Sequence, residues 1–151
     1  MSKLYDSLCN ADQLKFITLD TFIKEISEDL LALYLGGDSK IKLKLDLQKI
    51  SLDSDKTLNL GLIINEIVTN SLKYAFDKED PKGTIKISLS SEYETIIVEI
   101  IDTGKGYPTK AEQENSTGYG TKIVDLLVNQ MDAKMVKENN GGATTRISFK
   151  K

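Results

Sequence analysis

A chain of 151 residues with 40% hydrophobic and 28% charged side chains has the balance of one ordinary globular domain, long enough to bury a core. Its net charge of −3 argues against a general binder of nucleic acid or of anionic membranes. With no histidine and the single cysteine Cys9, the chain excludes an internal disulfide, imidazole acid–base chemistry and His- or Cys-ligated metals, so a metal here must be a hard ion such as Mg²⁺ held by oxygens. No apolar run reaches membrane-spanning length, and Met1 to Asp6 does not read as a signal peptide. The expectation is a cytoplasmic chain with no membrane contact.

Along the chain, Leu19, Phe22, Ile23, Ile26, Leu30 and Leu33 recur with helical period, and Gly36-Gly37 supplies a stop. Ile41, Leu43, Leu45 and Leu47 alternate with Lys42, Lys44 and Asp46, the pattern of a half-buried strand. Ser54 or Asp55 can cap a second helix that runs to about Phe76. That helix is apolar nearly all round, through Leu60, Leu62, Ile63, Ile64, Ile67, Val68, Leu72, Ala75 and Phe76, so it belongs in a core. After the polar turn Asp77 to Gly83, Ile85, Ile87 and Leu89 alternate as a strand. Thr95 to Ile101 is apolar on both faces and β-branched, which predicts a central strand. Residues 103–118 form a long polar loop, and long loops in compact domains are usually functional. A helix is expected from about Gly120 to Met131, then two strands around the hairpin signal Asn139-Asn140-Gly141-Gly142. The order α-β-α-β-β-loop-α-β-β predicts an α/β two-layer sandwich, one mixed and mostly antiparallel sheet with helices on one face.

Three constellations carry chemistry. Glu66, Asn70 and Lys73 fall at i, i+4 and i+7, which puts a carboxylate, an amide and an ammonium on one face of a buried helix. Such groups are costly there unless they meet one another or a polar ligand, and an anionic ligand carrying a divalent cation would satisfy all three. Asn70 is a neutral oxygen donor for Mg²⁺, and Glu66 could orient a water or take a proton. Asp102 ends the central strand, where its carboxylate could accept from the amine of adenine, while Gly104 and Gly106 clear side chains from the backbone. A plain strand-end turn accounts for Asp-Thr-Gly equally well. Gly118-Tyr119-Gly120 opens a helix whose backbone N–H groups and dipole suit phosphate, with Lys122 close by. Tyr74 reads equally as core packing.

Taken together, these motifs resemble the ATP-binding catalytic domain of sensor histidine kinases, in the superfamily that includes DNA gyrase B, the mismatch-repair MutL proteins and the ninety-kilodalton heat-shock chaperones. Asn65 to Phe76 is similar to that family's N box, Asp102 to Gly106 to its first glycine box, Thr117 to Gly120 to its second, and Gly141 to Thr144 to its glycine-threonine box. The phrase Leu60 to Asn70 points to the subgroup with a variant dimerisation and phosphoacceptor helix pair. The resemblance implies a Bergerat-type ATP-binding fold over residues 38–151. Residues 1–37 would be the end of the dimerisation and phosphoacceptor region, or a linker. It further implies ATP and Mg²⁺ as cofactors, with Asn70 on the metal, Lys73 on phosphate, and Tyr74, Asp102, Gly104 and Gly106 around adenine. Gly118, Tyr119 and Gly120 would hold the triphosphate under a lid of residues 107–117, and Thr144 would belong to the last box. Glu66 matches the general-base position of the gyrase branch. Partners would be a dimerisation and phosphoacceptor domain and a response regulator.

The chain departs from the family pattern at Tyr119, Thr121 and Ala143, and it lacks the histidine that such kinases phosphorylate. The reading is therefore a catalytic fragment whose phosphoacceptor lies elsewhere. The alternatives are a degenerate, non-enzymatic module that binds a response regulator, and a serine kinase of the anti-sigma-factor type. A dimeric aspartic protease, suggested by Asp102-Thr103-Gly104, fits the helical content poorly.

Overall fold

The computed structural model describes residues 18–35, 40–107 and 119–151, of which 119–121 are described by backbone alone. Helix α1 spans Leu19–Leu35, and Leu19, Phe22, Ile23, Ile26 and Leu30 are buried along one stripe, as the helical spacing requires. Strand β1, Lys40–Leu47, buries only Ile41 fully and presents Lys40, Lys42 and Lys44 on an outer strand, where charge discourages pairing with another chain.

Helix α2 runs from Ser54 to Asn70, and its cap is Asp53 rather than Ser54 or Asp55. Asp53 has extended backbone, and its Oδ1 accepts from the Lys56 N–H at 2.9 Å. The helix does not continue as α to Phe76. From Ser71 to Ala75 the chain takes one π-turn, with the Ser71 N–H shared between the carbonyls of Ile67 and Val68. Nor is it buried all round, since Leu62 is exposed. Gly61 is where α1 crosses: a Cβ there would lie 2.5 Å from the Phe22 ring.

Strands β2 (Lys82–Glu92), β3 (Thr95–Asp102), β4 (Lys134–Asn139) and β5 (Ala143–Lys150) complete a five-stranded sheet in the order β1-β2-β3-β5-β4. Only β1 and β2 pair in parallel. The mixed, mostly antiparallel sheet expected from the sequence is therefore present. Central β3 is not equally apolar on both faces: Ile96, Val98, Ile100 and Asp102 are buried, while Ile97, Glu99 and Ile101 are half-buried on the other side. Helix α3, Tyr119–Gln130, adds Val124 and Val128 to the single core that also takes Met131 and residues of α1, α2 and the sheet. Residues 1–17, including Cys9, and Gly36-Gly37 lie outside the described residues.

Candidate nucleotide site

Asp102 is a buried carboxylate tied by three hydrogen bonds. It ends β3 on the core face of the sheet and is 4% exposed. Its Oδ1 accepts from the backbone N–H groups of Gly104 at 3.0 Å and Ala143 at 3.1 Å, and its Oδ2 accepts from Ser71 Oγ at 2.8 Å. A carboxylate has about four acceptor positions, so Oδ2 keeps one lone pair for a further donor. Three elements meet here: β3, the π-turn through Ser71, and β5 through Ala143. A buried carboxylate of this kind is expensive unless its oxygens are bonded, which explains the three donors.

The glycines near Asp102 serve close approach. At Gly104 a Cβ would lie 2.3 Å from the Ala75 carbonyl oxygen, and the adjacent Lys105 N–H donates to that carbonyl at 2.9 Å. At Gly142, φ 150°, a Cβ would lie 1.9 Å from the Asp102 carbonyl oxygen. Thr103 fixes the other side: its Oγ1 accepts from the Thr84 N–H at 2.9 Å.

The remaining expected residues divide. Glu66 and Asn70 are half-buried on α2, and Asn70 is the last α residue before the π-turn. Lys73 is exposed, with its ammonium 5.8 Å from the centre of the Tyr34 ring. The π-turn begins between Asn70 and Lys73, with Asn70 half-buried on one side of that junction and Lys73 exposed on the other. Tyr74 is 61% exposed, so the core-packing reading of it fails. Thr144 pairs with Ile101 and so lies on the sheet face away from Asp102; Thr145, paired with Ile100, is the threonine on the Asp102 face. Gly118 and residues 108–117 lie outside the described residues, and Tyr119 and Gly120 are placed by backbone alone, at the start of α3.

Sequence reasoning gave no individual role to Ser71, Thr103, Asn139 or Thr145, and it put Tyr107 at the edge of the expected lid. Tyr107 follows Gly106, its hydroxyl bonds Thr145 Oγ1, and Asn139 Oδ1 accepts from its backbone N–H at 2.8 Å. Burial pushes the Tyr107 phenol above its ordinary range; the Thr145 hydrogen bond opposes this, and the charge of Asp102 adds to it. The folded chain thus holds this proton more tightly than the unfolded chain. The resulting stability is whole below about pH 10 and is lost as pH rises through the folded-state value. Urea midpoints between about pH 8 and pH 11 should fall more steeply for wild type than for Tyr107→Phe. Equal slopes would remove Tyr107 from the titration.

A separate shallow cavity of about 250 Å³ is lined by Ala75, Phe76, Asp77, Asp80, Lys82, Thr103 and Gly104. It shares a wall with the site but not Asp102. At its rim Asp80 pairs with Lys40 at 3.1 Å and Lys82 at 3.8 Å, and the Lys40 hydrogen bond and charge hold the Asp80 carboxyl below its usual range.

Among the described residues no three His, Cys, Asp or Glu side chains cluster to hold a metal, and no helix is long and apolar enough to cross a membrane. An aspartic protease is ruled out by the fold: Asp102 sits in a helix-bearing mixed sheet rather than an all-β body.

This chain is similar to the blue-light-activated histidine kinase 2 of Erythrobacter litoralis, 24% identical over 136 residues that cover 89% of this chain and 38% of that protein. It is 34% identical over 77 residues to the sensor histidine kinase PdtaS of Mycobacterium tuberculosis, covering 51% of this chain and 15% of that one. The chain thus spans well under half the length of these relatives. In fold it matches the histidine kinase domain of the Erythrobacter litoralis EL346 blue-light-activated kinase with a TM-score of 0.78 at 22% identity, over 90% of this chain and 62% of that one. Residues 55–151, which hold Asp102 and every group that bonds it, match the family described as histidine kinase-, DNA gyrase B-, and HSP90-like ATPases. The chain belongs to that family, as an ATP-binding catalytic domain of the histidine kinase kind.

Proposed function

We propose that this domain binds ATP with Mg²⁺ and presents the γ-phosphate to a histidine carried outside this chain. The observation that carries the proposal is the buried Asp102 carboxylate, caged by Ser71, Gly104 and Ala143 with one acceptor position left over. A lone pair in that position suits the exocyclic amine of adenine. Asn70 and Glu66 offer the oxygens that a hard cation requires, and the ion would neutralise charge on the triphosphate when bound. Lys73, exposed in the middle of the π-turn, can reach phosphate, and exposed Tyr74 can flank the base. The first turn of α3 presents backbone N–H groups of the right polarity for phosphate. Catalysis would be mostly positioning and charge neutralisation. The partners would be a cytoplasmic dimerisation and phosphoacceptor segment and a response regulator.

The chain, with no histidine of its own, should take no acid-labile label from γ-labelled ATP. Adding a separately produced helical segment that carries the phosphoacceptor histidine should give acid-labile, base-stable label on that segment. Acid-stable label would point to a serine kinase instead, and no label with nucleotide bound would point to a non-catalytic module.

A further inference from the structure

Helices α1 and α2 lie side by side and run in the same direction. A Cβ at Gly61 of α2 would lie 2.5 Å from the Phe22 ring and 3.2 Å from Ile26 Cδ1, both of α1. Tyr34 and Lys73 lie the same number of residues further along, and there the Lys73 ammonium stands 5.8 Å from the centre of the Tyr34 ring. Helix α1 is firmly seated: Leu19, Phe22, Ile23 and Ile26 are at most 1% exposed, and the Leu19 N–H donates to the Ile50 carbonyl at 2.8 Å. Its last turn, with Tyr34, is therefore carried to the end of α2 where the π-turn begins.

This π-turn is the segment whose Ser71 bonds Asp102. Lys73, two residues on, is exposed. No carboxylate of the described residues forms an ion pair with it; the pairs join Asp80 to Lys40 and Lys82 instead. The group set against its ammonium is the partly exposed ring of Tyr34. That choice of neighbour has a chemical consequence. A carboxylate would neutralise the ammonium, and an anionic ligand would have to displace it. An aromatic face attracts the cation through its quadrupole, leaves the charge whole, and leaves N–H donors free on the side away from the ring. A long, rotamer-rich lysine held in this way also has less freedom to lose when a ligand binds.

We propose that Tyr34 is a positioning residue of the nucleotide site: its ring steadies the Lys73 ammonium, still fully charged, for the phosphates. This rests on the nucleotide-binding reading above, in which Lys73 meets phosphate. A cation–π contact at an exposed position is worth about two- to fivefold in an equilibrium constant, which sets the size of the effect.

The test is calorimetric titration with a Mg²⁺-bound non-hydrolysable ATP analogue. The chains are wild type, Tyr34→Leu, Tyr34→Phe, Lys73→Met and the double variant of Tyr34→Leu with Lys73→Met. Tyr34→Leu should bind about two- to fivefold more weakly, and Tyr34→Phe, which keeps the ring, should bind as wild type does. Lys73→Met should bind more weakly than wild type. In its background Tyr34→Leu should cost nothing further, because the ring then has no cation to hold. A merely structural role for Tyr34 would carry its loss into that background, and this outcome would overturn the proposal. So would a Tyr34→Leu affinity equal to wild type, or a tighter one, which would mean that the ring competes with phosphate for Lys73. A Tyr34→Phe loss as large as that of Tyr34→Leu would do the same. Should Tyr34→Leu fail to melt cooperatively, Tyr34→Gln takes its place: it removes the ring with a good helix former, and the same outcomes decide. Lys73→Met binding equal to wild type would overturn this proposal alone. A folded wild-type chain that binds no analogue would overturn the nucleotide reading itself, and this proposal with it.

Discussion

Asp102→Asn should give a folded chain that a non-hydrolysable ATP analogue no longer stabilises. An asparagine fits the cage without leaving a buried group unpaired. Its Oδ1 can accept from the Gly104 and Ala143 N–H groups, and its Nδ2 can donate to Ser71 Oγ. What it cannot do is accept from the amine of a base, because the position next to Ser71 is then a donor. Donor facing donor, with loss of a charged acceptor, should weaken binding on the order of a hundredfold. At a ligand concentration of about 100 Kd, wild type gains about 2.7 kcal/mol, which at roughly 2–4 °C per kcal/mol raises its Tm by about 5–10 °C. The variant, about a hundredfold weaker, would gain about 0.4 kcal/mol and about 1 °C. A thermal melt of both chains with and without the analogue reads this directly. A shift in Asp102→Asn equal to that of wild type would remove Asp102 from base recognition.

The largest structural loss should follow Gly142→Ala. Residue 142 has φ 150°, a region that L side chains rarely adopt, and its Cβ would lie 1.9 Å from the Asp102 carbonyl oxygen and 2.9 Å from the carbonyl carbon. These are backbone atoms at the end of the central strand and cannot rotate away as a side-chain end could. Backbone strain of about 1–3 kcal/mol and overpacking of a similar size combine to about 3 kcal/mol or more. For a domain of this length that is a fall of about 10 °C in Tm. Gly141→Ala, whose Cβ would meet nothing within 4 Å, is the matched comparison and carries only the strain of its φ of 67°. Its melting point should drop by less than half as much, and equal losses would show that the close approach to Asp102 is not the cause.

The element order and strand alternation were legible in the sequence because each element carries its own period. The helical stripe of Leu19, Phe22, Ile23, Ile26 and Leu30 and a capped start of α2 follow from local pattern, whereas which face of β3 is buried does not. Which of Asp53, Ser54 and Asp55 caps the helix was not legible, because the three neighbours differ only in backbone angles that the fold sets. The π-turn was hidden for a related reason. Ser71, its first residue, bonds Asp102, a carboxylate 31 residues further on, and local periodicity carries no trace of that contact.

Asp102 itself was visible as a strand-end carboxylate between glycines. Its partners were not, since Ser71 and Ala143 reach it only through tertiary pairing. Thr144 and Thr145 are indistinguishable by composition. Only the register Ile100↔Thr145 places Thr145 on the site's face, and a shift of one residue would have exchanged them. Tyr107 lies in the turn after β3 while Lys137 and Asn139 belong to β4, so no motif spacing could have grouped them.

The central claim is that this chain is a nucleotide site built around Asp102. Calorimetric titration of the wild-type chain with a non-hydrolysable ATP analogue, with and without Mg²⁺, tests it most directly. One site per chain is expected, tighter when Mg²⁺ is present because the ion offsets triphosphate charge beside Asn70 and Glu66. Absence of binding by a chain that melts cooperatively would contradict it.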